Sequence, residues 1–262
     1  LRAAFPDATG KLLVLLHGSC MADRGWLRRG HDHGLALARD LGYTPVYLHY
    51  NSGLHVGVNG AELAPLLAAL VAAWPRPLDE LALLCHSMGG LVARSAMHLA
   101  PSLPVRRVVF LGTPHHGSPL ERSGNIVTTV LGVSAYTGPI GRLSKLRSAG
   151  ITDLRHGAVE APASSHDRFG HGPDARRPVP LPPSVACYAI AASLTSSRLT
   201  SPLGDGLVPV ESALGRHPDA RLSLGIPDAR CHVAHGLGHL DLLDHADVYA
   251  HLVKFLSEPL AR

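Results

Sequence analysis

The sequence is short of charged and aromatic residues, and it has no long apolar run. Only 17% of its 262 residues are Asp, Glu, Lys or Arg and 5% are Phe, Trp or Tyr, whereas 46% are hydrophobic. This composition provides for a sizeable core and argues against global disorder. The most apolar segment, residues 61–74, carries Glu62 and Pro65 and is shorter than the roughly 18 residues that a membrane-spanning helix needs. We therefore expect a globular chain that folds as a single domain over residues 1–262, without a transmembrane segment.

The sequence also lacks clusters of positive charge and a cysteine spacing typical of metal sites. The formal net charge is +4, and the positive residues, almost all arginine, are scattered along the chain, so a nucleic-acid partner is not expected. The four cysteines lack metal-ligand spacing, and free buried thiols explain them best. A Cys187–Cys231 disulfide is the alternative, provided that the strands carrying these residues are neighbours. The cysteines are Cys20, Cys85, Cys187 and Cys231.

The beginning of the chain gives little information on localisation. The first residue is Leu1 rather than a methionine, as expected of a trimmed N-terminus, and trimming would remove any signal peptide. Localisation therefore stays open, with the cytoplasm slightly favoured.

Short apolar runs recur along the chain and are separated mostly by segments of helical periodicity. Each run is nearly apolar throughout instead of alternating, which is typical of strands covered on both faces. Asn59 and Glu62, three residues apart, predict a capping box at the start of one helix. Alternating strands and helices predict an α/β fold, a mostly parallel sheet of about six strands with helices on both faces. The runs are residues 12–18, 44–50, 81–87, 106–114, 184–193 and 229–236, and the helical segments are residues 26–41, 60–74, 88–100 and 240–257.

One gap between the apolar runs is too long for a plain crossover. Over 70 residues separate Leu111 from Val185, whereas most connections are far shorter. Residues 125–136 have helical character, and residues 157–184 are rich in Pro, Gly, His and Ser. We therefore predict that residues 115–184 form a lid or cap insertion over the sheet, within the single domain.

The segment LALLCHSMGGLVARSA places Ser87 where a predicted strand ends and a predicted helix begins. A side chain at such a junction projects from the carboxyl edge of the sheet, where open α/β sheets bind ligands. The pattern is G-x-S-x-G with Cys85 in place of the first glycine, and Gly89 keeps the small residue that a tight turn requires. We interpret Ser87 as a candidate nucleophile. The alternative is a serine that only caps the helix.

A nucleophilic serine needs a general base, and in this arrangement an acid and then a histidine follow the serine along the chain. His239 follows the last apolar run in a glycine-containing loop, which places it at the same sheet edge as Ser87. Asp205 follows the fifth run between two glycines, and a buried carboxylate there would fix the histidine tautomer. The less favoured alternatives are His232, His235 and His245 for the base, and Asp219, Asp228 and Glu211 for the acid.

Other residues at the predicted strand ends are candidates for an oxyanion hole and for the lining of a pocket. The backbone amides of Ser19 and Met88 would point at the site and stabilise an oxyanion. The side chains of five further residues could line a substrate pocket. The segment GHDHG (residues 30–34) and the adjacent His115 and His116 could bind a metal, but such histidines are more often structural. We predict neither a metal nor a cofactor. The candidate pocket residues are His17, Tyr50, Asn51, His115 and His116.

Five motifs, in their order along the chain, resemble those of the α/β-hydrolase superfamily. The second and third are similar to bacterial lipases and esterases, including the branch related to GPI inositol-deacylases. The resemblance implies the α/β-hydrolase fold, with Ser87, Asp205 and His239 as a catalytic triad and the amides of Ser19 and Met88 as the oxyanion hole. The motifs are VLLHG (14–18), CHSMGGLVAR (85–94), GTPHHGSPLE (112–121), GDGLVP (204–209) and GLGHLDLL (236–243).

The resemblance also implies an activity. The expected protein is a serine carboxylic-ester hydrolase that acts through an acyl-enzyme on a small-molecule or lipid-like ester with an apolar acyl or alcohol part. The same superfamily includes thioesterases, amidases and acyltransferases, which remain alternatives because a fold does not determine a reaction. A non-catalytic lipid-binding protein is the minor alternative.

Overall fold

Six strands form one sheet in the part of the chain that the computed structural model describes: residues 1–117, 153–154, 156–160, 176–196 and 204–259. The strand order is β2-β1-β3-β4-β5-β6, and all five neighbouring pairs are parallel. The predicted parallel sheet of about six strands is therefore confirmed. The strands are β1 (Lys11–Leu16), β2 (Thr44–Leu48), β3 (Glu80–His86), β4 (Val105–Leu111), β5 (Ala186–Ser193) and β6 (Cys231–His235).

Helices cover both faces of this sheet, as the nearly continuous apolar runs predict. Alternate residues of β1 point to opposite sides: Val14 packs in the core shared with α2 and α3, and Leu15 packs in the core shared with α1 and α5. β3, at the centre of the sheet, is buried over its whole length. The helices are α1 (His33–Leu41), α2 (Val56–Ala72), α3 (Met88–Leu99), α4 (Val210–Ala213) and α5 (Ala246–Ser257), with 3₁₀ turns at Asp23–Trp26, Asp228–Arg230 and His239–Leu243.

Three details of the predicted helices are wrong. The segment 26–41 is not one helix, because a 3₁₀ turn ends at Trp26 and α1 begins only at His33. The segment 240–257 is likewise divided, since Asp244 leaves the helical conformation (φ −143°) between a 3₁₀ turn and α5. The predicted capping box lies inside α2, which begins at Val56. Asn59 is buried there, and its amide donates to the carbonyl of Asn51.

The long connection between β4 and β5 is described only in part. Asp153 contacts the start of α2, Gly157 packs on the backbone after β4, and residues 176–180 lead toward β5. The predicted helix at 125–136 lies outside the described residues, so the lid or cap stays a prediction. All four cysteines are free thiols. β5 and β6 are neighbours, but Cys231 pairs in register with Ala189 rather than Cys187. None of the helices in the described ranges has the length and hydropathy needed to cross a membrane.

Candidate active site

Ser87 occupies a tight turn between β3 and α3, as the sequence predicts. Its backbone has φ 52° and ψ −124°, a region that residues with a Cβ rarely adopt. The turn brings α3 against the end of β1, since a Cβ at Gly89 would lie 2.5 Å from the carbonyl oxygen of Leu16 and 2.7 Å from that of His17. Cys85, the departure from the usual motif, is fully buried in the core between the sheet and α3. The elbow therefore forms despite the cysteine.

His239 and Asp205 form a buried hydrogen-bonded pair. The Nδ1 of His239 lies 2.7 Å from Oδ2 of Asp205, and since a carboxylate only accepts, Nδ1–H is the donor. In the corresponding tautomer, Nε2 carries the lone pair. The other carboxylate oxygen accepts the amides of Leu207 (2.9 Å) and Val208 (2.8 Å). Both side chains are shielded from solvent, with 6% of the His239 side chain and none of the Asp205 side chain exposed.

Ser87 and His239 line the same cavity at the carboxyl edge of the sheet. Gly18, Ser19 and His86 border it as well, while the remaining wall is apolar. The structure thus brings together the predicted nucleophile, the predicted base and one of the two predicted oxyanion residues, with Asp205 directly behind the base. The apolar wall consists of Met21, Pro114, Leu154, Leu207, Val208 and Leu240.

The loop after β1 packs directly on the serine. A Cβ at Gly18 would lie 2.9 Å from Nδ1 of His86 and 3.0 Å from Cβ of Ser87, so only glycine lets the loop approach this closely. The hydroxyl of Tyr50 donates to the carbonyl of His17 (2.6 Å), and the two rings stack at 4.2 Å. On the opposite side, Met88 opens α3, where the first amides have no partner within the helix and the helix dipole is positive.

The five predicted pocket residues do not line this cavity. The backbones of these residues lie at the carboxyl edge of the sheet, as predicted, but their side chains do not face the cavity. His17 and Tyr50 stack behind the β1 loop, and Tyr50 and Asn51 border a separate groove toward α2. His115 packs edge-on against Phe110 in the core, and the amide of His116 donates to Ser212. Burial lowers the pKa of His116 to about 4, which keeps its ring neutral.

His86 is a site residue that the sequence analysis missed. Its ring lies 4.7 Å from that of His239, and its Nε2–H donates to the carbonyl oxygen of His239 (3.2 Å). Burial holds the pKa of His86 well below its usual range, so the ring is neutral and contacts the predicted base without adding a positive charge. The sequence offered one indication of this position, since His86 immediately precedes the predicted nucleophile in the motif.

The alternative acids and bases have other partners. Asp219 and Asp228 form ion pairs with Arg221 and Arg216, and Glu211 also pairs with Arg216. His232 binds the carboxylate of Asp247 (2.7 Å), and His245 caps α5. None of these candidates, nor His235, borders the cavity at Ser87.

Within the described ranges, two histidine groups have the composition of metal ligands. His232, Asp247 and His251 offer ligand atoms within 4.8 Å of one another, but the two rings stack at 3.4 Å and 11°, so their in-plane lone pairs run nearly parallel and do not converge on one ion. In the GHDHG segment, Nε2 of His31 and Nδ1 of His33 form a hydrogen bond (2.8 Å). Nε2 of His33 in turn donates to the carbonyl oxygen of Leu242. Neither group borders the cavity.

Comparison with known proteins identifies the fold. A family model described as the PGAP1-like alpha/beta domain matches residues 67–165. The structure is similar to that of the mature lipase BlEst2 from Bacillus licheniformis, with a TM-score of 0.61 and 20% identity over 95% of this chain and 92% of that one. It is also similar to the metagenomic carboxyl esterase MGS0156 (TM-score 0.54, 16% identity, 95% and 74% coverage) and to the carboxylesterase CesB from Bacillus subtilis (0.52, 15%, 96% and 84%). No curated protein matches the sequence. The chain has the α/β-hydrolase fold.

Proposed function

We propose that this chain is a serine carboxylic-ester hydrolase in which Ser87 is the nucleophile, His239 the general base and Asp205 the residue that orients the base. The observation that carries the proposal is the convergence of three strand ends. Ser87 stands on a strained elbow at a cavity that His239 also borders, and the ring of His239 is hydrogen-bonded to the buried Asp205. A serine that merely caps a helix needs neither partner.

The first half of the reaction acylates Ser87. Its Oγ attacks the ester carbonyl carbon, and its proton passes to Nε2 of His239, while the carboxylate of Asp205 stabilises the imidazolium. The carbonyl oxygen becomes an oxyanion, which the amides of Ser19 and Met88 stabilise. The intermediate then collapses, the bond to the alcohol oxygen breaks, and the alcohol leaves with the proton from His239.

The second half releases the acid. Water gives a proton to Nε2 of His239 and attacks the acyl carbon, and Ser87 regains its proton when the acyl bond breaks. The apolar wall suits an ester whose acyl part is apolar, because six lining residues offer no charge to it. The structural relatives named as lipases and carboxylesterases add support through the shared fold alone.

The proposal is tested by labelling and by hydrolysis of nitrophenyl esters. A fluorophosphonate should modify Ser87 and no other serine, and Ser87→Ala should lower kcat by about 10⁴-fold or more. Ser95→Ala is the matched control, since Ser95 is buried on the same helix but does not border the cavity. Labelling of a different serine would contradict the assignment. Parallel assays with thioesters, amides and added alcohol acceptors separate hydrolysis of esters from the related acyl-transfer reactions.

A further inference from the structure

One wall of the cavity at Ser87 comes from the long connection between β4 and β5. Leu154 borders the cavity and is 4% exposed, whereas the other lining residues come from loops and turns close to the strand ends. The space open to the centres of water molecules is about 30 Å³, whereas a single water needs about 10–15 Å³ by the same measure. In a cavity of this size, one isobutyl side chain is large enough to affect how far a bound acyl group extends.

Leu154 is held in place through its neighbour Asp153. The Asp153 carboxylate is buried and accepts the backbone N–H of Val56 at 2.7 Å and the Nδ1–H of His55 at 3.0 Å. Val56 is the first residue of α2, and His55, which precedes it, provides no side-chain cap to the helix. A carboxylate is well suited to that position, because the unpaired amides and the dipole of a helix N-terminus both favour an anion.

A second anchor fixes the same segment from the opposite side. The amide of Ala158 donates to the carbonyl oxygen of Asp153 at 3.0 Å, which closes a turn. Gly157, with φ 69°, packs against the backbone after β4, where an added Cβ would lie 2.6 Å from the carbonyl oxygen of Pro114 and would also collide with that of His115. Pro114 itself borders the cavity. The turn therefore bridges α2 and the β4 loop and carries Leu154 into the wall between them.

We propose that Leu154 is a specificity-determining residue that restricts the substrate to esters of short acyl chains, and that Asp153 is the residue that positions it. This inference rests on the proposed ester hydrolysis at Ser87. It identifies the substrate class more narrowly, as short-chain carboxylic esters, and it assigns the restriction to a single side chain rather than to the connection as a whole.

The test is the chain-length profile of nitrophenyl esters from acetate to octanoate. Leu154→Ala should raise the ratio of kcat/KM for hexanoate to that for acetate by at least about tenfold, because one methylene in an apolar pocket changes discrimination by about 10- to 200-fold. Val159→Ala is the matched control. Val159 belongs to the same segment and is equally buried in the core, but it does not border the cavity, so this variant should lower thermal stability and leave the ratio unchanged.

Asp153→Asn tests the positioning role. The amide oxygen can still accept the Val56 N–H, but the negative charge at the helix N-terminus is lost. The hexanoate-to-acetate ratio should rise by a smaller factor than in Leu154→Ala, and the double variant should match Leu154→Ala alone, since both act through one side chain. Equal and independent effects of the two substitutions would overturn the positioning role.

Fluorophosphonate labelling separates the two possible failures. If Ser87 is labelled and acetate is hydrolysed in wild type and variants, but the ratio is the same in Leu154→Ala, the inference on Leu154 is wrong and the proposed function stands. If wild type hydrolyses no ester and Ser87 is not labelled, the proposed function is wrong and the inference fails with it. A shifted ratio with labelling at Ser87 supports both.

Discussion

At the scale of single residues, the two oxygens of the Asp205 carboxylate have different tasks. Oδ2 binds Nδ1 of His239, and Oδ1 accepts the amides of Leu207 and Val208. Leu207 and Val208 also border the cavity. One carboxylate thus connects the orientation of the proposed base, His239, with the conformation of the cavity wall beside it.

This division of tasks predicts different results for two substitutions of Asp205. Asp205→Asn retains an oxygen for the two amides but presents an N–H to His239, which favours the tautomer that cannot accept a proton from Ser87. We expect kcat to fall about 10⁴-fold while thermal stability changes little. Asp205→Ala removes both functions and should lower the unfolding temperature as well. An Asn variant that keeps a tenth of the activity would rule out this role.

Adding a side chain at Gly89 should have a purely steric effect. Its hypothetical Cβ would meet two backbone oxygens, those of Leu16 and His17, which cannot rotate away. Gly89→Ala should therefore lower the free energy of unfolding by about 2 kcal/mol or more and also disturb the serine elbow. Gly25→Ala is the control in urea unfolding, because its Cβ would meet only the terminal methyl of the flexible Met21. Equal losses in the two variants would contradict the steric explanation.

At the scale of secondary-structure elements, the turn between β3 and α3 stores backbone strain. Ser87 has a φ of 52°, a conformation that costs a residue with a Cβ about 1–3 kcal/mol and costs glycine little. Ser87→Gly should therefore be more stable than Ser87→Ala by at least about 1 kcal/mol in chemical denaturation. Ala96→Gly, inside α3, provides the opposite reference, because glycine in a helix interior is destabilising. If glycine is also the less stable residue at position 87, the turn is not strained.

The same elements show what a sequence can reveal and what it cannot. Strands covered on both faces consist almost entirely of apolar residues, so β3 could be predicted from its continuous apolar run. The division of residues 240–257 at Asp244 could not, because a 3₁₀ turn and an α-helix bury similar apolar stripes. The residues that line the cavity were even harder to predict from the sequence. Whether a side chain at a strand end faces the cavity depends on backbone rotation at that residue, and Leu154 reaches the cavity through a tertiary contact of Asp153 with α2.

At the scale of the whole molecule, buried histidines make the fold sensitive to acid. The chain has 18 histidines, and five of those that the structure describes are buried with a pKa that burial lowers: to about 4 for His33 and His116, well below the usual range for His86 and His115, and below its ordinary value for His17. Burial also raises the pKa of Asp153, which opposes the effect of the histidines, but one carboxyl group is outnumbered by five imidazoles.

The sign of the effect follows from proton uptake in the two states. Between pH 6.5 and about 4 the unfolded chain binds protons at these positions and the native fold does not, so the free energy of unfolding falls as the pH falls. His33 and His116, each with a pKa of about 4, should each cost about 2 kcal/mol at pH 5 relative to neutral pH. Urea denaturation at pH 7, 6 and 5 measures this loss, and His33→Gln should reduce the loss between pH 7 and pH 5 by about 2 kcal/mol. Unfolding free energies that stay constant over this range would show that the buried rings take up protons in the native fold as they do in the unfolded chain, which would contradict this prediction.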